Sequence, residues 1–244
     1  MTTAPRTVHL RAADGTRLAA DELPGAEPAF LFLHGLASNR LGEKSSSLLA
    51  WAERRGLRLL RLDFRGHGES EGRLADLTLS RVIEDAEAGL DHLGRAVVVG
   101  SSLGGLVGAW LAARHPDRVL GLVLLAPAFG FLARMAKRPR RQGRVLVESA
   151  WVRTELNDAV LGDARAWPED ELPGRIRAPT LVVHGSADDV VAADDVERAF
   201  AALRAPKELW IVPGGDHRLT GAIEDVWPRM ERLLAGVLGG QGEA

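Results

Sequence analysis

Cysteine is absent from the 244-residue chain, which excludes disulfides, thiolate metal sites and a cysteine nucleophile. An excess of either charge is absent too: 31 Lys and Arg stand against 33 Asp and Glu, for a net charge of -2. With the basic residues spread along the chain, nothing points to nucleic acid as a partner. The densest basic run, Lys137, Arg138, Pro139, Arg140 and Arg141, reads as a solvated face, the commoner role of such a run. Asn and Gln are scarce and arginine far outnumbers lysine, a bias that fits either genome composition or a warm habitat. The start, MTTAPRTVHLRAADG, has no apolar core of the signal-peptide kind, so the expected compartment is the cytoplasm. Ala96 to Ala113 is uncharged, and about 18 residues make a membrane span conceivable. Its middle, GSSLGG, is a place for a strand to stop and turn, so no span is expected.

What is present is a 46% hydrophobic chain of a length that suits one globular domain with a substantial core. Short apolar runs bounded by turn residues recur: AFLFLHG, LRLLRLDFRG, AVVVGSS, VLGLVLLAPA, TLVVHGS and ELWIVPGG. Continuous apolar strands of this kind belong to a parallel sheet covered on both faces. Ahead of them, Val8 to Arg11 and Thr16 to Glu22 read as a hairpin around the Asp14-Gly15 turn. The pattern predicts eight strands, the hairpin followed by Ala29–Leu33, Arg58–Leu62, Ala96–Val99, Val119–Leu125, Thr180–Val183 and Glu208–Val212. Helices are predicted near residues 43–55, 79–93, 103–114, 192–203 and 222–238. Such alternation means an α/β fold, mostly parallel, with helices on both faces. Residues 128–177 interrupt it with the basic run, the helix-like GRVLVESAWVRTELNDAVL and the acidic WPEDELPG. An interruption of that size is more often an inserted cap than a loop. It divides the core into residues 1–127 and 178–244, and is expected to cover one edge of the sheet.

In such sheets, sites lie beyond the carboxyl ends of the strands. After Ala96–Val99 comes Gly100-Ser101-Ser102-Leu103-Gly104, a G-x-S-x-G centred on Ser102. Small neighbours are needed there because the serine occupies a tight, strained strand-to-helix turn. The same turn starts a helix with the Leu103 N–H, placed where an oxyanion would form. Ser101 is a second serine but falls off the central position. A serine hydroxyl needs a base oriented by an acid. HGSADDVV offers Asp188 and Asp189 after one strand, and PGGDHRL offers His217 after the next. The order Ser, Asp, His along the chain is that of elbow-type hydrolases. Among the other histidines, His34 and His184 are read as holding loops by hydrogen bonds, as is His67. His9, His92 and His115 are read as surface residues. No pair of histidines has metal-ligand spacing with a carboxylate, so neither metal nor cofactor is expected.

The sequence resembles the α/β-hydrolase family across nearly its whole length. FLHGLASN is similar to the family's His-Gly oxyanion segment, which implies a second backbone donor at Leu36. DFRGHGESEG, from Asp63 to Ser70 and beyond, resembles its D-x-R-G-x-G-x-S loop. HGSADDVV matches H-G-x-x-D-x-x-V, which implies that the acid is Asp188 and not Asp189. GSSLGG and GDHRL together are similar to a narrower branch, the mitochondrial acyl-protein thioesterases and acyl-glucuronide esterases with their bacterial relatives. The expected partner is a small acyl ester or thioester, cleaved through an acyl-enzyme. A peptidase of the same fold is the alternative, since it would use the same triad. An aspartate nucleophile of the haloalkane dehalogenase kind is excluded by Ser102. A catalytically dead binding module would be expected to have lost a triad member, and none is lost.

Overall fold

The computed structural model describes residues 4–148 and 152–239. It opens with a hairpin of β1 (Arg6–Arg11) and β2 (Arg17–Leu23), in antiparallel register from Arg6 opposite Glu22 to Arg11 opposite Arg17. The turn forms because Gly15 takes φ +85° and the Asp14 carboxylate accepts the Thr16 amide at 3.0 Å, the side-chain turn that aspartate favours. The chain continues through β3 (Ala26–Leu33), α1 (Glu43–Arg55), β4 (Leu57–Leu62), α2 (Leu79–Leu93), β5 (Ala96–Ser101), α3 (Leu103–Arg114) and β6 (Val119–Leu125). One eight-stranded sheet results, with β10 (Thr180–Gly185) and β11 (Lys207–Val212) completing the order β1-β2-β4-β3-β5-β6-β10-β11. Pairing is antiparallel for β1-β2 and β2-β4 and parallel elsewhere.

The uncharged run Ala96 to Ala113 becomes β5, buried at every position, and α3, buried from Leu103 to Ala112. A strand under two layers and a helix inside the core need no polar face. Among the described residues no helix is long and apolar enough to cross a membrane. On one face of the sheet, α1 and α8 (Val226–Leu233) pack Trp51 edge-on to Phe30, at 5.1 Å between ring centroids, with Trp227 beyond. The other face carries α2, α3 and α7 (Ala193–Ala202). The chain steps from β3 outward to β4 and then back to β5 on the far side of β3. This reversal opens a crevice at the carboxyl ends of β3 and β5.

Two predicted elements differ. The single helix expected over 222–238 is divided into a 3-10 turn at Ile223–Asp225, α8 and α9 (Ala235–Leu238). Leu234, between the last two, is fully buried against Gly121, where a Cβ would come within 2.8 Å of it. In the insert, α4 (Phe131–Ala136) leads to β7 (Arg140–Arg141), β8 (Arg144–Glu148) and β9 (Arg153–Asn157), an antiparallel sheet in place of the expected helix. Only the tail of that segment is helical, in α5 (Ala159–Asp163), and residues 149–151 lie outside the described ones. The reason is period: Val145, Val147 and Leu156 are buried while Leu146 faces Glu155 on the other side, an alternation of two that a helix cannot use. The 3-10 turns Ala164–Ala166 and Glu169–Glu171 and the short α6 (Leu172–Arg175) complete the insert. Its described residues pack on the start of α2, where Asp163 accepts the Ser80 amide at 2.9 Å and Trp167 Nε1 donates to Ser80 Oγ at 2.9 Å, and Phe131, Met135 and Val147 line the same cavity as Ser102 beyond the end of β5. The basic run is exposed throughout, as expected of a solvated face.

Candidate active site

Ser102 stands between β5 and α3 at φ +53°, ψ −115°, a conformation that costs a non-glycine residue about 1–3 kcal/mol and is found at functional sites. Its surroundings impose that turn. A Cβ on Gly100 would lie 2.2 Å from the Gly104 carbonyl, and one on Gly104 would lie 2.1 Å from the Leu33 carbonyl. The flanking glycines of the motif are therefore close-approach positions. The strained residue is held by its own backbone: its N–H donates to Leu125 O at 2.9 Å, and its carbonyl accepts from Gly105, Leu106 and Ala128.

Three strand ends bring three side chains together. His217 Nε2 lies 3.0 Å from Ser102 Oγ, and His217 Nδ1 lies 2.8 Å from Asp188 Oδ2. With Nδ1–H donating to the carboxylate, Nε2 is left to accept from the hydroxyl. Asp188 Oδ1 accepts the amides of Val190 at 2.8 Å and Val191 at 2.9 Å. Burial alone would raise this carboxyl, but the His217 hydrogen bond and charge and those two amides hold it below its ordinary range. Asp189 is exposed at the rim of the same cavity and makes none of these contacts. Of the two aspartates, it is Asp188 that meets the His217 ring.

Leu36 follows β3 and Leu103 opens α3, and neither amide has a backbone or side-chain acceptor among the described residues. The Leu36 segment is rigid for a reason legible in DFRGHGES. His67 Nε2 accepts the Ala37 amide at 3.0 Å while its Nδ1 donates to Arg65 O at 3.0 Å. Asp63 accepts the Arg40 amide at 2.7 Å, and a Cβ on Gly68 would run into its carboxylate. Arg65 in turn grips the buried Asp85 through Nε at 2.9 Å and Nη2 at 2.7 Å. His34 does hold a loop, with Nδ1 donating to Gly35 O at 2.7 Å and Nε2 accepting the Phe64 amide at 3.0 Å. His184 does not. It is fully buried, neither ring nitrogen has a hydrogen-bond partner among the described residues, and Nδ1 stands 3.6 Å behind Asp188 Oδ2. His9 is exposed on β1, while His92 and His115 pair at the surface with Glu22 and Glu87.

Sequence reasoning missed Lys44. In the first turn of α1, its Nζ donates to Ser101 Oγ at 3.0 Å and to the His217 carbonyl at 3.2 Å. No periodicity or motif in LGEKSSS marks it. The cavity that joins these residues measures about 450 Å³. Phe131, Met135, Val147, Val152, Val190 and Val191 supply apolar lining, and Ser38, Asn39, Lys44 and Ser101 supply polar lining. Glu148 also reaches it, whereas Glu155 faces Arg144 at 3.2 Å elsewhere on the insert.

Comparison with known proteins agrees with this architecture. A family described as alpha/beta hydrolase fold matches residues 28–142. The chain is 32% identical over 216 residues to the mouse palmitoyl-protein thioesterase ABHD10, mitochondrial, covering 83% of this chain and 73% of that protein. It is 31% identical over 226 residues to an uncharacterized protein of Mycobacterium tuberculosis (strain ATCC 25618 / H37Rv), covering 88% of this chain and 73% of that one. Among solved structures it resembles alpha/beta hydrolase domain-containing protein 10 from mouse, with TM-score 0.85 and 23% identity over 95% of this chain and 99% of the other. Est1E from Butyrivibrio proteoclasticus with ferulic acid bound superposes with TM-score 0.84 at 20% identity, covering 95% of this chain and 100% of that chain. The chain belongs to the alpha/beta hydrolase family.

Proposed function

We propose that the chain is a serine hydrolase that cleaves carboxylic ester or thioester bonds of acyl substrates through an acyl-enzyme. The observation that carries this is the unbroken relay from Ser102 Oγ through the His217 ring to Asp188, at 3.0 and 2.8 Å. Ser102 Oγ attacks the carbonyl carbon as its proton passes to His217 Nε2, and Asp188 fixes the tautomer and stabilises the imidazolium. The negative oxygen is met by the Leu36 and Leu103 amides, each donor of this kind being worth about 3 kcal/mol. Collapse expels the alcohol or thiol, which takes the proton from His217. Water then attacks the acyl-serine with His217 again as base, and the free acid leaves. Every step is served by groups of this chain, without a cofactor.

Residues 128–177 serve as a cap whose apolar side chains receive the acyl tail, at about 0.8 kcal/mol for each CH₂ buried. The thioesterase name of the mouse relative supports thioesters among the substrates. A fluorophosphonate is expected to label Ser102, and Ser102→Ala to lose both the label and turnover of a short p-nitrophenyl ester. Wild-type kcat in that variant would remove the assignment. Across a panel of p-nitrophenyl esters, acyl thioesters and aminoacyl anilides, kcat/KM should rise over the first few acyl carbons, with anilides slowest. Anilides cleaved faster than every ester and thioester would replace this function with that of a peptidase.

A further inference from the structure

Lys44 has no part in that mechanism, yet it touches both sides of the relay. Its ammonium joins two segments that are remote in sequence: Ser101, the last residue of β5 and the neighbour of the nucleophile, and the backbone carbonyl of the base itself. The His217 segment leaves β11 as an irregular turn, Pro213 to Leu219, so the ring has no helix or strand to fix its backbone. We propose that Lys44 is a positioning residue for the hydrolysis: its ammonium ties the His217 backbone to the end of β5 and so sets the base against Ser102. This rests on the serine-hydrolase function proposed above.

The chemistry of the position favours a functional tie over a stabilising one. Burial disfavours the ammonium and pushes it down to about 8, against the pull of Asp188, Asp216 and Glu43 and with Arg218 adding repulsion. His34, Arg134, Arg138, Glu148, Asp189 and His217 are the other charged or titratable groups that line its cavity. A lysine whose folded value lies below its unfolded one is, as a cation, a cost to folding that disappears as the pH rises through that window. Its charged hydrogen bonds are roughly twice as strong as neutral ones, so the tie is firmest below about pH 8 and weakens above it.

The test compares Lys44→Met and Lys44→Arg with wild type, reading kcat and KM for p-nitrophenyl butyrate, the fluorophosphonate labelling rate and Tm. Lys44→Met is expected to lower kcat and the labelling rate about ten- to a hundredfold, the scale of a small misplacement of a reacting group. KM should stay within about twofold, since the loss lies in the transition state. Tm below about pH 8 should hold or rise, because the desolvated cation that is removed is itself a cost to folding there. Lys44→Arg, which keeps its charge at alkaline pH, should recover part of kcat and move the alkaline limb of the profile to higher pH. A wild-type rate and pH profile in Lys44→Met would overturn the proposal. So would a fall in Tm with no recovery by arginine, which marks a structural strut, or a raised KM at unchanged kcat, which marks a substrate contact. Failure of wild-type protein to label at Ser102 would instead remove the hydrolase function, so the two failures are distinct.

Discussion

Asp188 and Asp189 are adjacent and chemically identical, yet only the first is placed to act. The Asp188 carboxylate is pinned by two amides and by the His217 ring, and that bond selects the imidazole tautomer. Asp188→Asn keeps the shape but offers an N–H where the ring needs an acceptor, so kcat should fall by something like the ~10⁴-fold typical of a misoriented base. Asp189→Asn should change kcat only mildly, and an exchange of ranks in steady-state kinetics would refute the geometry. Ser102 and His217, the nucleophile and base of the proposed reaction, were legible as candidates because each follows an apolar strand and lies among small or turn-forming residues. Asp188, the proposed acid, needed the family pattern to separate it from its neighbour. Lys44 was invisible because its place beside the relay comes from two long-range hydrogen bonds, and a lone lysine in a first turn reads like any solvated one.

At the scale of elements, the turn from β5 into α3 is a tightly constrained joint, with both flanking glycines against backbone carbonyls. Gly104 leaves no room for a methyl group beside the Leu33 carbonyl, whereas Gly162 in α5 is exposed and has nothing within 4 Å of a Cβ. Gly104→Ala should therefore cost about 3 kcal/mol, the upper end for overpacking, because backbone rather than a pliable side chain must give way. Gly162→Ala should be neutral or stabilise by up to about 1 kcal/mol through helix propensity alone. Urea midpoints for the two variants check both signs, and a Gly104→Ala protein as stable as wild type would contradict the close approach. The strands of the sheet were legible for the same reason this joint is rigid: buried elements must be continuously apolar and must end at small residues. The insert was not, since its short hairpin alternates over only a few residues and a mixed stretch of that length satisfies either period. Its docking on the start of α2 depends on contacts such as Trp167 with Ser80, which no local pattern encodes.

For the whole molecule, the decisive quantity on acidification is the number of groups that the fold keeps away from protons. Burial pushes His34 down to about 3, with the His67 charge adding to it, and burial likewise lowers His67 and His184. Glu22 would be raised by burial, but hydrogen bonds from Arg58, Arg6 and His92 bring it down to about 2. Asp85 acts in the opposite sense, because burial raises it. Each depressed histidine binds its proton more readily in the unfolded chain, so the stability it contributes is complete above its ordinary 6.5 and drains away as the pH falls toward its folded value. For His34 that window runs from 6.5 to about 3, and Glu22 extends the loss from 4.5 to about 2. Loss of stability should therefore begin near pH 6.5, well before ordinary carboxylates titrate, and should reach a few kcal/mol by pH 4. Replacing His34 with Gln should lower Tm at neutral pH, because the Phe64 and Gly35 bonds cannot both be kept. It should also flatten the dependence of Tm on pH below 6.5, because one proton-excluding group is gone. Calorimetric Tm values for both proteins across the acid range decide the matter. A wild-type Tm that holds or rises from pH 7 to pH 5 would mean that these histidines are not kept neutral by the fold.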